Sequence, residues 1–117
     1  MNDPLGSKTY SVILALRGSV SKKKCKEITE KIIDRIGMNK AHKGKMFNYP
    51  YAGKGNGYIY IQPIIESYIS WDVWIKPSGC YVTICSCRDF DEKVIIQIFS
   101  EENLNILNMN TNIMSLL

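Results

Sequence analysis

The sequence predicts an α+β fold: a two-layer α/β sandwich, with two helices on one face of an antiparallel sheet. Three observations carry this. Residues 57–87 hold three apolar, β-branched runs joined by links too short for anything but antiparallel neighbours. Two other stretches, 21–36 and 89–99, repeat apolar residues at helical spacing. A strand-like run precedes the first helix and another follows the second. The predicted order is β-α-β-β-β-α-β over one domain spanning residues 1–117.

Thr9–Leu16 is apolar with partial alternation and reads as the first strand. Ser21 is placed to cap a helix through Ile36, whose buried stripe is Cys25, Ile28, Ile32, Ile33 and Ile36. Gly37 suits the left-handed position that ends it. Three lysines in its first turns oppose the helix dipole, and nothing in the sequence explains why. Asn39–Asn56 reads as a polar, glycine-bearing loop whose aromatic residues can cover a ligand. Tyr58–Ile65, Tyr68–Ile75 and Cys80–Ser86 are the central strands, with Pro63 marking a bulge or an edge. Lys76-Pro77-Ser78-Gly79 has turn chemistry. Asp89 is read as the second cap, with Glu92 completing a capping box and Phe90, Val94, Ile95, Ile98 and Phe99 as the stripe. Leu104–Met109 is the last strand; residues 1–8 and 109–117 are read as loose tails.

Composition narrows the function. At 45% hydrophobic and 22% charged the chain resembles a soluble domain, and no apolar run approaches the ~20 residues of a membrane span. MNDPLGSK lacks the pattern of a secretory signal, so the expected compartment is cytoplasmic, with Cys25, Cys80, Cys85 and Cys87 reduced. Cys85-Ser86-Cys87 has the wrong spacing for a zinc site, and no metal is expected. The net charge of +4 sits largely in Lys22–Lys26 and Lys40–Lys45. The first cluster holds no aromatic residue, which favours a solvated helix face over a nucleic-acid surface. Tyr58, Tyr60, Trp71, Val73 and Tyr81 offer more apolar surface than two helices can cover, so a homodimer packed sheet to sheet is expected.

Between the first two central strands stands Glu66-Ser67, not the glycine or asparagine such a turn favours. Glu66-Ser67, then Trp74, then Cys87 closing the third strand resembles the prokaryotic-type S-adenosylmethionine decarboxylase family, over roughly Tyr10 to Leu107. The resemblance implies the same two-layer fold and a chain that cuts itself between Glu66 and Ser67, turning Ser67 into a pyruvoyl group. It also implies Cys87 as proton donor after loss of carbon dioxide and Trp74 stacked on adenine. Phe47 is the second stacking residue, with Tyr49 or Tyr51 in its place as alternatives. Glu66 and Lys76 complete the expected substrate-binding set.

At four positions the chain departs from that family's pattern. Asp72 stands where the family has the histidine base of processing, and Tyr68 where it has a second histidine. Ile59 replaces a serine, and Lys76 a glutamate that binds ribose. Asp72 serves as base if burial raises its pKa, with Tyr68 or Ser70 assisting. Lys76 suits a substrate carboxylate. The expected activity is decarboxylation of S-adenosylmethionine for spermidine synthesis. The alternatives are a pyruvoyl decarboxylase of a basic amino acid, a non-processing regulatory or ligand-binding subunit, and a small domain whose basic helix meets RNA or an acidic protein.

Overall fold

The structure, a computed structural model, describes residues 7–48 and 56–116. Its elements are β1 (Lys8–Arg17), α1 (Lys22–Ile36), β2 (Lys45–Asn48), β3 (Gly57–Ile64), β4 (Ser67–Trp74), β5 (Gly79–Ser86), α2 (Glu92–Glu101) and β6 (Ile106–Ser115). The strands form one antiparallel sheet in the order β2-β3-β4-β5-β1-β6. Both helices pack on the same face and share one core with it.

Alternation along the strands decides what each face carries. Val12, Leu14 and Leu16 of β1, Tyr58 and Tyr60 of β3, Ile69, Trp71 and Val73 of β4, and Val82 and Ile84 of β5 are buried beneath the helices. They meet Cys25, Ile28, Ile32 and Ile33 of α1 and Ile95, Ile98 and Phe99 of α2. Trp71 sits at the centre, fully buried. Its ring meets Phe99 edge-on, and its indole N–H donates to Thr29 Oγ1 at 2.9 Å, so the polar end of a large core residue is satisfied. The open face does not carry the residues expected of it. Tyr58, Tyr60, Trp71 and Val73 all lie on the helix side, and of that set Tyr81 alone is exposed. The open face carries Ile13, Phe47, Ile61, Tyr68 and Tyr81 instead.

The helix ends follow local chemistry. Ser21 Oγ accepts from Lys24 N–H at 3.1 Å, and Gly37 takes φ 71° as Met38 N–H bonds back to Ile33 O at 3.0 Å. The second cap is Asp91, not Asp89: its carboxylate accepts from Lys93 N–H at 3.0 Å, while Asp89 lies 3.5 Å from Lys8 Nζ. Placing the cap directly before the first helical residue leaves Glu92 in the positive first turn of α2.

Two strands differ from expectation. β2 lies inside the predicted loop, where four residues with one partly buried side chain, Met46, give too short a pattern to read. β6 runs to Ser115, so residues 109–115 are not a tail, and at the other end Ser7 is buried and Lys8 opens β1. The sequence of β6 is rich in asparagine and weakly patterned. Its order comes from pairing with the whole length of β1.

Two of the three lysines in the first turns of α1, Lys22 and Lys24, find partners. Lys24 and Lys31 both reach Glu102, and Lys22 Nζ donates to Asn48 Oδ1 at 2.7 Å. The hydrogen bonds from Lys24 and Lys31 lower the Glu102 pKa to about 2. A depressed carboxylate contributes stability above its unfolded pKa of ~4.3 and loses it as pH falls toward the folded value. Acid denaturation should therefore show wild type ahead of Glu102→Gln near neutral pH. The gap should close between about pH 4.5 and 2, and shrink with added salt.

Candidate active site

The β3–β4 connection is a two-residue hairpin. Ile64 pairs with Ser67, leaving Ile65 and Glu66 as the turn. Neither takes the positive φ of the favoured two-residue turns, since Asn103 is the one non-glycine residue with positive φ among those described. Tertiary bonds hold the turn in place. Ile65 N–H donates to Asn39 O at 2.8 Å. The Glu66 carboxylate accepts from Asn39 N–H at 3.1 Å and from Asn39 Nδ2 at 3.3 Å, with Arg88 at 3.5 Å. Burial alone would raise its pKa, but these Asn39 bonds and the Arg88 charge hold it below the usual carboxylate range. Arg88 is itself fixed by the Gly37 carbonyl at 2.8 Å. Glu66 is thus an anchor of the turn, with both carboxylate oxygens engaged.

The Glu66 carbonyl points the other way. Its oxygen accepts from Cys87 N–H at 2.9 Å, one step beyond the Ser67–Ser86 pair of the β4–β5 ladder. Glu66, Ser67, Cys87 and Arg88, with Lys8 and Thr9, line one surface cavity of about 460 Å³. Ser67 is exposed and Cys87 half-buried. Ser67 and Cys87 therefore border one cavity, although the ladder sets the Ser67 side chain, paired with Ser86, on the helix-facing side and Cys87, one residue on, on the other. Cys25 and Cys80 lie in the core, where burial pushes their thiols up to about 12.

The remaining expected residues lie elsewhere in the chain. Asp72 is five residues along β4 from Ser67 and points to the open face, where it lines a cavity of about 530 Å³ with Tyr68, Tyr81 and Ile59. Burial does raise its pKa, but ~16 Å of strand separates it from its own Ser67. Trp74 is farther still, in a depression of about 510 Å³ with Pro77, Tyr81 and Leu107. Lys76 follows in the β4–β5 turn. Phe47 sits on β2 opposite Ile59, exposed on the open face. Tyr49 and Tyr51 lie outside the described residues. So Glu66, Ser67 and Cys87 are brought together, while Tyr68, Asp72, Trp74 and Phe47 form a separate aromatic surface.

Sequence reasoning missed Asn39, Lys8 and Arg88. Arg88 directly follows Cys87, and that adjacency was a usable signal. Asn39 had none, because its contact with Glu66 spans 27 positions. No protein-family model matches the chain, and no curated protein matches it closely enough to count as a relative.

Proposed function

We propose that the chain is a self-processing, pyruvoyl-dependent decarboxylase acting on S-adenosylmethionine. The observation that carries this reading is the Glu66 carbonyl, with a backbone N–H on its oxygen and the Ser67 hydroxyl one residue away. A hydroxyl attacking the preceding carbonyl closes a small ring, so proximity is built into the covalent chain. What the surroundings must add is a donor for the developing oxyanion, and Cys87 N–H is in position to be one.

The step balances. Ser67 Oγ bonds to the Glu66 carbonyl carbon, the C–N bond breaks, and the hydroxyl proton passes to the released nitrogen. Loss of the Ser67 α-proton expels the Glu66 carboxylate, and water replaces the nitrogen as ammonia, leaving a ketone. The exposed position of Ser67 beside the cavity fits the group so formed, and such a group supplies the electron sink for decarboxylation. In the same cavity Cys87 is the proton donor, and Lys8 and Arg88 supply positive charge toward a substrate carboxylate.

The aromatic surface enters through a second copy. Trp74 is ~23 Å along β4 from Ser67 of its own chain, too far to share one substrate. A homodimer packed sheet to sheet supplies Trp74, and Asp72 with it, from the partner chain. Processing is tested by intact mass under denaturing conditions. The expected result is two pieces, residues 1–66 and 67–117, the second blocked at its N-terminus. A single full-length chain with an unmodified Ser67 would sink the reading. Carbon dioxide release from S-adenosylmethionine, set against arginine and ornithine, identifies the substrate class.

A further inference from the structure

We propose that β6 is a self-pairing edge: two copies join β6 to β6, antiparallel about a two-fold axis at Asn110, into one continuous sheet. This interface is separate from the open face and independent of the chemistry at Ser67.

The two edges of the sheet are built differently. β2 is four residues long and carries Lys45, a short, charged edge of the kind that discourages pairing. β6 is ten residues long, ILNMNTNIMS. Charged residues make up 22% of the chain, yet none falls in this strand, and it holds no proline. It is exposed nearly throughout. An edge of that length without a blocking charge is a template for another strand.

Its hydrogen-bond phase is set. Leu116 N–H donates to Ser7 O at 2.7 Å, so the even-numbered residues of β6 turn their polar backbone groups toward β1. Met109, Thr111, Ile113 and Ser115 turn theirs outward.

The side chains are close to palindromic about Asn110. In that register Asn110 faces Asn110 of the partner subunit. Asn108 faces the partner's Asn112, and Met109 faces the partner's Thr111. Both Met109–Thr111 pairs join outward-turned residues, so each exchanges its N–H and C=O groups. On the open face the asparagines meet as a row of amides able to donate and accept at once. The symmetry closes: once β6 is paired, the ends of the joined sheet are two β2 edges carrying Lys45. That accounts for a second copy as occupant.

Asn110→Lys tests the edge, because it sets like charges directly opposite each other at the axis while leaving the β1 ladder untouched. In sedimentation, the variant should run at half the wild-type mass, with unchanged circular dichroism. Asn110→Cys should form an intermolecular disulfide on mild oxidation, faster than Asn108→Cys, with wild type as the control for its native thiols. In hydrogen exchange of wild type, the outward amides of Met109, Thr111 and Ile113 should be as slow as those of Asn110 and Asn112, and quicken on dilution. Equal mass for Asn110→Lys and wild type overturns the proposal. So do outward amides that exchange fast at every concentration, and so does equal cross-linking at positions 108 and 110, which rejects the register.

Discussion

Replacing Cys87 by alanine should leave a chain that is still cut before Ser67 but turns over slowly, whereas replacing it by proline should leave the chain whole. The two variants separate the two roles that the proposed function assigns to one residue. The backbone N–H of Cys87 lies 2.9 Å from the Glu66 carbonyl oxygen, and alanine keeps that N–H. Proline removes it. Loss of one oxyanion donor costs roughly 10²–10³ in rate, enough to move cleavage from hours to weeks. On the proposed reading the thiol acts later, as proton donor, and its loss should lower decarboxylation by roughly 10²–10⁴ while the two pieces still appear. Intact mass over time reads the first effect and carbon dioxide release the second. Thermal melting checks that the proline variant folds. A proline variant cut at the wild-type rate would mean that the Glu66–Cys87 contact is an ordinary ladder bond and nothing more.

How much of this was legible in the sequence depends on how local each cause is. α1 was read to its cap and its C-terminal glycine because Ser21, the apolar stripe and Gly37 act within a few residues of one another. The three central strands were legible for the same reason. β6 was half lost, because Asn108, Asn110 and Asn112 carry no strand preference and gain their order from β1, nearly 100 positions earlier in the chain. The faces of β3 and β4 were misjudged and that of β5 was not. Of the five residues assigned to the open face, Tyr58, Tyr60, Trp71 and Val73 do share a side, the one the helices cover, and Tyr81 alone lies on the open one; periodicity cannot say which side the helices cover. At the candidate site, Glu66, Ser67 and Cys87 were named from a family resemblance, and the β4–β5 ladder brings these residues next to one another. Asn39, which holds the turn from 27 positions away, has nothing local to announce it, whereas Arg88 adjoins Cys87 in the sequence.

The separation of Ser67 from Trp74 within one chain leads to the second large effect. If each site draws Ser67 from one copy and Trp74 from the other, Ser67→Ala and Trp74→Ala should each be nearly inactive alone. Mixed, they should recover. In a heterodimer one site has both defects, and the other has an intact Ser67 facing an intact Trp74. Random assortment of two subunits makes half the dimers mixed, with one good site in each, so activity should return to about a quarter of wild type. The Ser67→Ala chain stays uncut in the mixture, while the Trp74→Ala chain is cut, so intact mass shows that both partners are present. Trp74 is half-exposed on the open face rather than in the core, and its replacement should leave folding intact. Asp72→Asn in place of Trp74→Ala should complement in the same way, because Asp72 lies on the same face of β4 and is likewise distant from its own Ser67. No recovery in either mixture would mean that each site is built from a single chain, and that the aromatic face has a use unconnected with Ser67.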